Sequence, residues 1–268
     1  MRLKKQINAD RFSGVANIYD IARPQCPSYI MDIAGKYLGS KPEFVVDLGC
    51  GTGLSTFVWA DVSKRTVGVE PNEDMLRVAR EKAGDSKSVE FVQGYADNIK
   101  LEDACADVVT CSQAFHWMEP QSTLREIDRI LKPGGIFLAY DCDWLPVCNL
   151  KAEMAYLKLV RKIDEIESAT PAIRDAFIYW NKDRHLIHIK NSGHFSFARE
   201  IVFANRERCS AKRLIALAFS QGSMQAVLKV QPDAIMQPLR EFETEINNIF
   251  KEEQFDADFC YRVRIGVK

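Results

Sequence analysis

Between positions 43 and 140, short runs of β-branched and aromatic residues alternate with stretches in which apolar side chains recur every three or four places. The runs FVVDL (44–48), TVGVE (66–70), VEFVQG (89–94), DVVTCSQ (107–113) and GIFLAYD (135–141) read as strands. The segments 54–62, 75–83 and 123–131 read as helices, the last with Leu124, Ile127 and Leu131 on one face. This alternation predicts βαβ units on a parallel sheet. The loops that follow the strands then gather along one sheet edge, where open α/β folds bind their ligands.

After Asp141 the alternation stops. A helix is predicted over 149–167, with Met154, Leu157, Val160 and Ile163 near one side, and a second helical piece over 171–181. A strand at 195–205, helices at 211–219 and 232–250, and a closing strand at 259–268 complete the reading. Ile235, Leu239, Phe242, Ile246 and Ile249 repeat at helical spacing and are read as core packing. No repeat or low-complexity linker interrupts the chain, so a second lobe is expected as an insertion between late strands. The expected division is an N-terminal lid segment and core over 1–145, a mostly helical cap with a late strand over 146–255, and a final core strand over 256–268.

The 268 residues are 47% apolar and 27% charged, enough for a sizeable core. Thirty-six basic residues face 37 acidic ones, so no global charge favours nucleic acid or a membrane surface. The opening MRLKKQINADRF lacks the apolar stretch of a signal peptide, and no run approaches about 18 apolar residues, which leads us to expect a cytoplasmic protein. Eight cysteines are scattered without a CxxC pair, which suggests neither a disulfide framework nor a zinc site.

The stretch FVVDLGCGTGLS (44–55) runs from a strand through Gly49, Gly51 and Gly53 into a helix. Such a turn needs glycine where φ is positive or where a ligand approaches the main chain. It is not a P-loop, which requires G-x-x-x-x-G-K-[ST], and it fails the dinucleotide fingerprint because Leu54 stands where the third glycine belongs. Asp47, just before the turn, would repel a pyrophosphate but accept a hydrogen bond from an ammonium group. Glu70 ends the second strand about 20 residues beyond the turn, the offset at which an acidic side chain grips ribose hydroxyls. The pair describes a ligand with a ribose and a positive, phosphate-free tail.

The segments VVDLGCGTG, VGVEPNEDML, VQGYADNI, ADVVTCSQAFHWM and ILKPGGIFLAY follow one another in the order and spacing of the class I S-adenosylmethionine-dependent methyltransferases. The chain resembles their small-molecule branch over about residues 15–145. The resemblance implies a Rossmann-like α/β fold, a seven-stranded, mostly parallel sheet with an antiparallel last strand, plus a helical substrate-cap insertion. It also implies S-adenosyl-L-methionine as cofactor. By position, Asp47 and the backbone at Gly49 and Gly51 would meet its methionine part and Glu70 its ribose. Pro71 and Asn72 would flank the adenine, Ala96 and Asp97 would contact it, and Ser112 and Gln113 would lie beside the cofactor facing the substrate. Tyr19 and Arg23 belong to a segment that in relatives folds over the cofactor.

Each residue also has a plainer reading. Asp47 can cap the following helix, Gly53 can serve close packing, Asp97 can be a turn residue, and Arg23 can be a surface arginine before a proline. His116, after the fourth strand, is either a general base for a hydroxyl, thiol or amine acceptor or a packing residue with Phe115 and Trp117. Tyr140, Trp144 and Tyr179 line an acceptor pocket or belong to the core. His185, His188 and His194 show no ligand spacing, and Asp141 with Asp143 reads as a solvated pair, so no metal is expected. The resulting expectation is in-line methyl transfer to a small-molecule acceptor, an acid or hydroxyl being favoured, by a monomer or homodimer with neither nucleic acid nor membrane as partner. The rivals are a non-catalytic protein that binds S-adenosylmethionine and an NAD(P)-dependent oxidoreductase.

Overall fold

The computed structural model describes residues 7–9, 20 and 22–268. In chain order, helix α1 (Tyr29–Leu38) leads to strand β1 (Phe44–Leu48), helix α2 (Leu54–Ala60), strand β2 (Arg65–Glu70), helix α3 (Glu73–Ala83) and strand β3 (Val89–Gln93). Strand β4 (Ala106–Ser112), helix α4 (Pro120–Ile130) and strand β5 (Leu131–Cys142) follow. Then come helices α5 (Leu150–Ala169), α6 (Pro171–Arg174) and α7 (His185–Asn191), and strand β6 (Phe197–Ser210). Helices α8 (Ala211–Phe219), α9 (Gly222–Val230) and α10 (Pro232–Phe250) precede the last strand, β7 (Gln254–Val267).

The seven strands lie in the order β3-β2-β1-β4-β5-β7-β6. Strands β1 to β5 pair in parallel, and β7 runs antiparallel to β5, with Ile136 opposite Val267 and Cys142 opposite Tyr261. The chain winds outward from β1 through β2 to β3, then returns to place β4 on β1's other side. Strand order therefore reverses between β1 and β4, and the crevice beyond their carboxyl ends is where such a sheet takes its ligand.

The central strands are buried on both faces, and residue parity decides which core each side chain joins. Val46, Leu48, Val109, Phe137 and Ala139 pack with Phe115, Leu124 and Ile127. Val45, Val108, Ile136, Leu138 and Tyr140 pack on the other side with Ile30, Ile33 and Trp59. Helix starts are marked by local chemistry. Asn72 caps α3 by accepting from the Met75 N–H at 3.0 Å, and Glu119 caps α4 by accepting from Gln121 and Ser122, with Pro120 in the first turn.

The chain forms two compact units. The sheet unit comprises 25–142, 179–203 and 261–268, and the second comprises 1–24, 143–178 and 204–260. Segment 179–203 thus belongs with the sheet. In the second unit, α10 buries Ile235, Leu239, Phe242 and Ile246 as its stripe predicts. Helix α5 is rotated from its expected face. It buries Ala152, Ala155, Tyr156, Leu159, Ile163 and Ile166, whereas Met154 and Leu157 are exposed. Tyr156 sits edge-on to Phe242 at 5.5 Å, so the aromatic contact rather than the aliphatic row sets the packed face.

Other departures are local. The predicted helix over 171–181 stops at Arg174, and instead the Trp180 N–H donates to the carbonyl of His116 at 2.8 Å, a non-local bond that replaces a helical one. Strand β5 starts at Leu131 rather than Gly135, because Leu131 pairs with Ala106 across a register shift. Helices α1, α7 and α9 were not anticipated: α1 precedes the alternating region, α7 shows only the short buried pair His185 and Ile189, and α9 begins on a glycine.

Candidate active site

The strand ends at the β1/β4 crevice bring the glycine turn and both sequence-singled carboxylates together. Gly49, Gly51 and Gly53 have φ of 66°, 55° and 85°, a region that side chains other than glycine rarely adopt. A Cβ on Gly49 would lie 2.6 Å from Ala114 Cβ, whereas one on Gly51 would meet nothing within 4 Å. Gly49 is thus required by packing, and Gly51 borders open space. The turn is held to β2 by the Gly49 and Cys50 N–H groups, which donate to the Val69 carbonyl at 2.8 and 3.2 Å.

Glu70 accepts from the Gly51 N–H at 3.0 Å through Oε2 and from the Asn72 N–H at 2.9 Å through Oε1. Burial pushes its pKa up to about 7 against those two bonds. Asp47 is fully buried, and its Oδ2 accepts from the Thr56 hydroxyl at 2.7 Å. Burial raises it as well, to about 7, with the charge of Glu70 adding to the effect and the Thr56 and Ser55 hydroxyls opposing it. Asp47 Oδ1 has no hydrogen-bond partner among the described residues. Two buried carboxylates this close, one with an unused oxygen, suit a cation and reject a phosphate.

The remaining predicted cofactor residues divide. Pro71 and Asn72 follow Glu70 directly, but the Asn72 Oδ1 is engaged in capping α3. Ala96 and Asp97 lie half-buried in the turn after β3, between the bridged Tyr95 and Asn98. Ser112 ends β4, and Gln113 adopts φ of 52°, its N–H donating to the Tyr140 carbonyl at 2.9 Å. Arg23, in the second unit, is buried, donates to the Ser220 carbonyl at 2.8 Å and lies over the Trp144 ring. Tyr19 lies outside the described residues. Tyr140 is core: it is fully buried, its hydroxyl bonded to Ser55 and approached by Trp59 Nε1 at 3.4 Å.

A second cluster lies after β4 and β5. His116, in a short 3-10 turn (Phe115–Trp117), is 6% exposed, and its Nδ1 is 3.5 Å from Asp141 Oδ1. Asp141 is not the solvated loop residue expected from the sequence. It is 2% exposed within β5, because Arg264 Nη1 donates to its Oδ2 at 2.9 Å and Lys182 Nζ lies 3.1 Å from Oδ1. Burial alone would raise its pKa, yet Lys182, with His116 and His185, holds it well below the usual carboxylate range. His185, expected in a polar cap segment, is fully buried beside the same carboxylate, its Nε2 3.8 Å from Oδ2. Burial pushes His185 down to about 3, against the pull of Asp141. The signal for this cluster was faint: two arginines, Arg262 and Arg264, in the largely apolar end of β7 and one aspartate at the end of β5.

Comparison with known proteins agrees with this geometry. The methyltransferase-domain family matches residues 46–139, which span the glycine turn, both carboxylates and His116. Over that span the chain carries a methyltransferase domain, and it is similar to the class I S-adenosylmethionine-dependent methyltransferases. A methyltransferase-like protein of Schizosaccharomyces pombe is 35% identical over 135 residues, 50% of this chain and 52% of that protein. The malonyl-[acyl-carrier protein] O-methyltransferase of Serratia marcescens is 30% identical over 141 residues, covering 51% and 52%. The alignments thus span about half the length of these relatives. In fold, the chain superposes on a structure described as a type II methyltransferase from Anaeromyxobacter dehalogenans. The TM-score is 0.68 at 19% identity, with 91% of this chain and 97% of that one covered.

S-adenosylmethionine, the cofactor of class I methyltransferases, fits the residues around the glycine turn. The orphaned Asp47 Oδ1 would accept from its ammonium group, and the Glu70 oxygens, each bonded to one backbone N–H, would have lone pairs left for the ribose hydroxyls. Among the described residues, no helix is long and apolar enough to cross a membrane.

Proposed function

We propose that the chain transfers a methyl group from S-adenosylmethionine to a small-molecule acceptor, at an oxygen of an acid or hydroxyl compound. The single observation carrying this reading is the buried Asp47–Glu70 pair around the glycine turn at the β1/β4 switch point. It selects an amino-acid tail and a ribose and opposes a diphosphate. S-adenosylmethionine supplies an electrophilic methyl group when bound. Asp47 and the backbone at Gly49 and Gly51 hold its methionine part, and Glu70 holds its ribose. Pro71, Asn72, Ala96 and Asp97 form the adenine side, and Ser112 and Gln113 face the acceptor at the end of β4. Fixing donor and acceptor in line supplies several kcal/mol of the barrier with no covalent intermediate on the enzyme. His116 is the base available to an acceptor that must lose a proton. The relative from Serratia marcescens, named as an O-methyltransferase, supports an oxygen acceptor.

Calorimetry with S-adenosylhomocysteine and NAD, followed by incubation with methyl-labelled cofactor and a panel of acids, phenols and amines, tests this reading. Binding of S-adenosylhomocysteine with label transfer to small molecules is expected. Binding of NAD in its place overturns the assignment, and tight binding without transfer favours a non-catalytic role.

A further inference from the structure

We propose that His116 and Asp141 form a proton-accepting dyad, with Asp141 as positioning residue, and that the acceptor bears an O–H group rather than an ionised carboxylate. The inference rests on the methyltransferase reading and narrows its acceptor. His116 presents Nδ1 to Asp141 Oδ1 at 3.5 Å, and both side chains are buried. The ring is fixed from several sides: Trp117 and Tyr179 lie 4.7 and 5.2 Å away, and the His116 carbonyl accepts from Trp180. Holding Nδ1–H toward a carboxylate sets the tautomer in which Nε2 is the basic nitrogen. A carboxylate acceptor has no proton to give and no need of such a device.

The groups facing this pair come from α7, β6 and β7 and from the loop before α7. Lys182 and Arg264 flank Asp141, Glu200 accepts from Arg264 Nε at 2.8 Å, and Tyr179 and His185 close the ring. The formal charges of Asp141, Glu200, Lys182 and Arg264 cancel, and Arg262, on the same strand as Arg264, reaches Glu200 Oε1 at 3.4 Å and leaves the wider cluster with one excess positive charge. His185 stacks parallel to His116 at 6.4 Å and is kept neutral by burial, so it does not compete for the proton. Buried ion pairs of this kind contribute little net stability, which makes orientation the better account of them. The three side chains of His116, Asp141 and His185 also bring ligand atoms within 4.8 Å of one another. A divalent ion there would have to displace Lys182 and Arg264 and add positive charge to a cluster that already holds three basic side chains, so the dyad is favoured over a metal centre.

In the step, the acceptor's O–H bond breaks heterolytically. Its proton passes to His116 Nε2, and the electron pair stays on the oxygen that is methylated. Asp141 remains ionised throughout, and the imidazolium then loses its proton to solvent.

Long-range proton–nitrogen NMR on the full chain, labelled at histidine and assigned with His116→Gln, tests the dyad without cofactor. A neutral imidazole with its proton on Nδ1 is expected, and Asp141→Asn should shift the population toward the Nε2–H tautomer. Should that variant fail to fold by circular dichroism, Lys182→Met serves instead: removing a competing cation should move the His116 titration upward. Methyl transfer to hydroxyl compounds should fall about 100-fold in kcat in His116→Gln, with KM little changed. The proton found on Nε2 in the native chain, a His116 titration unmoved in Lys182→Met, or label passing only to carboxylic acids and undiminished in His116→Gln each overturns the proposal. Stoichiometric Zn²⁺ shifting both His116 and His185 signals overturns it in favour of a metal site. Failure of S-adenosylhomocysteine to bind would instead remove the underlying methyltransferase reading, and calorimetry reads that separately.

Discussion

The carboxylate of Glu70 holds the Gly51 N–H at 3.0 Å, so the end of β2 and the glycine turn after β1 form one rigid receptor. Its other oxygen holds Asn72, which in turn caps α3. Replacing Glu70 by Gln keeps the shape but turns one acceptor oxygen into a donor facing an N–H group. S-adenosylhomocysteine affinity is expected to fall about 10- to 100-fold, in keeping with about 1.5–3 kcal/mol for a hydrogen bond to a charged group. Calorimetric titration checks this, and unchanged affinity would remove Glu70 from the binding site.

Asp47 makes the ligand-free protein sensitive to pH. Its folded-state pKa is raised to about 7 from the ordinary 3.8, so below about pH 4 its stabilising contribution is fully present, and it is lost as pH rises through about 7. For this fully buried group the span is of the order of 4 kcal/mol. The melting temperature should therefore fall between pH 5 and 7.5. In Asp47→Asn this slope should shrink to the part that Glu70, also raised to about 7, contributes, while cofactor affinity drops. Thermal melts across that range, with and without S-adenosylhomocysteine, test both statements.

The glycines of the turn should separate stability from binding. Gly49→Ala forces a Cβ to 2.6 Å from Ala114 Cβ and 2.9 Å from Met118 Cε at a positive φ, a clash expected to cost about 1–3 kcal/mol beyond the backbone strain. Gly51→Ala meets no neighbour within 4 Å and carries only the strain of its φ, about 1–2 kcal/mol. Its methyl group projects into the space assigned to the cofactor. Chemical denaturation should therefore rank Gly49→Ala as the less stable variant, and calorimetry should show weakened cofactor binding in Gly51→Ala.

Arg264 is 1% exposed and joins Asp141 to Glu200. Arg264→Met leaves Asp141 with Lys182 as its remaining fixed cation in the cluster and is expected to destabilise the chain by about 3–5 kcal/mol. A loss below about 1 kcal/mol in urea denaturation would mean that the pair does not carry this part of the sheet.

The sheet and half of the site were legible along the chain because both rest on local rules. Alternating apolar runs specify parallel strands, and a turn such as GCGTG needs glycine whatever lies around it. Asp47 and Glu70 stand at fixed offsets from that turn, so their spacing already implied one ligand. The packed face of α5, the short α7 and the loop that ends at Trp180 were decided by contacts between residues far apart in sequence.

The sequence by itself determined the alternation of strands and helices from β1 to β5, the glycine turn, and the two acidic groups beside it, because each follows from the periodicity or conformational needs of neighbouring residues. Only tertiary structure decided that Asp141, His116, His185, Lys182, Arg264 and Glu200 meet. They come from separate elements as far apart in the chain as His116 and Arg264, and a charge is buried only when folding brings its partners to it.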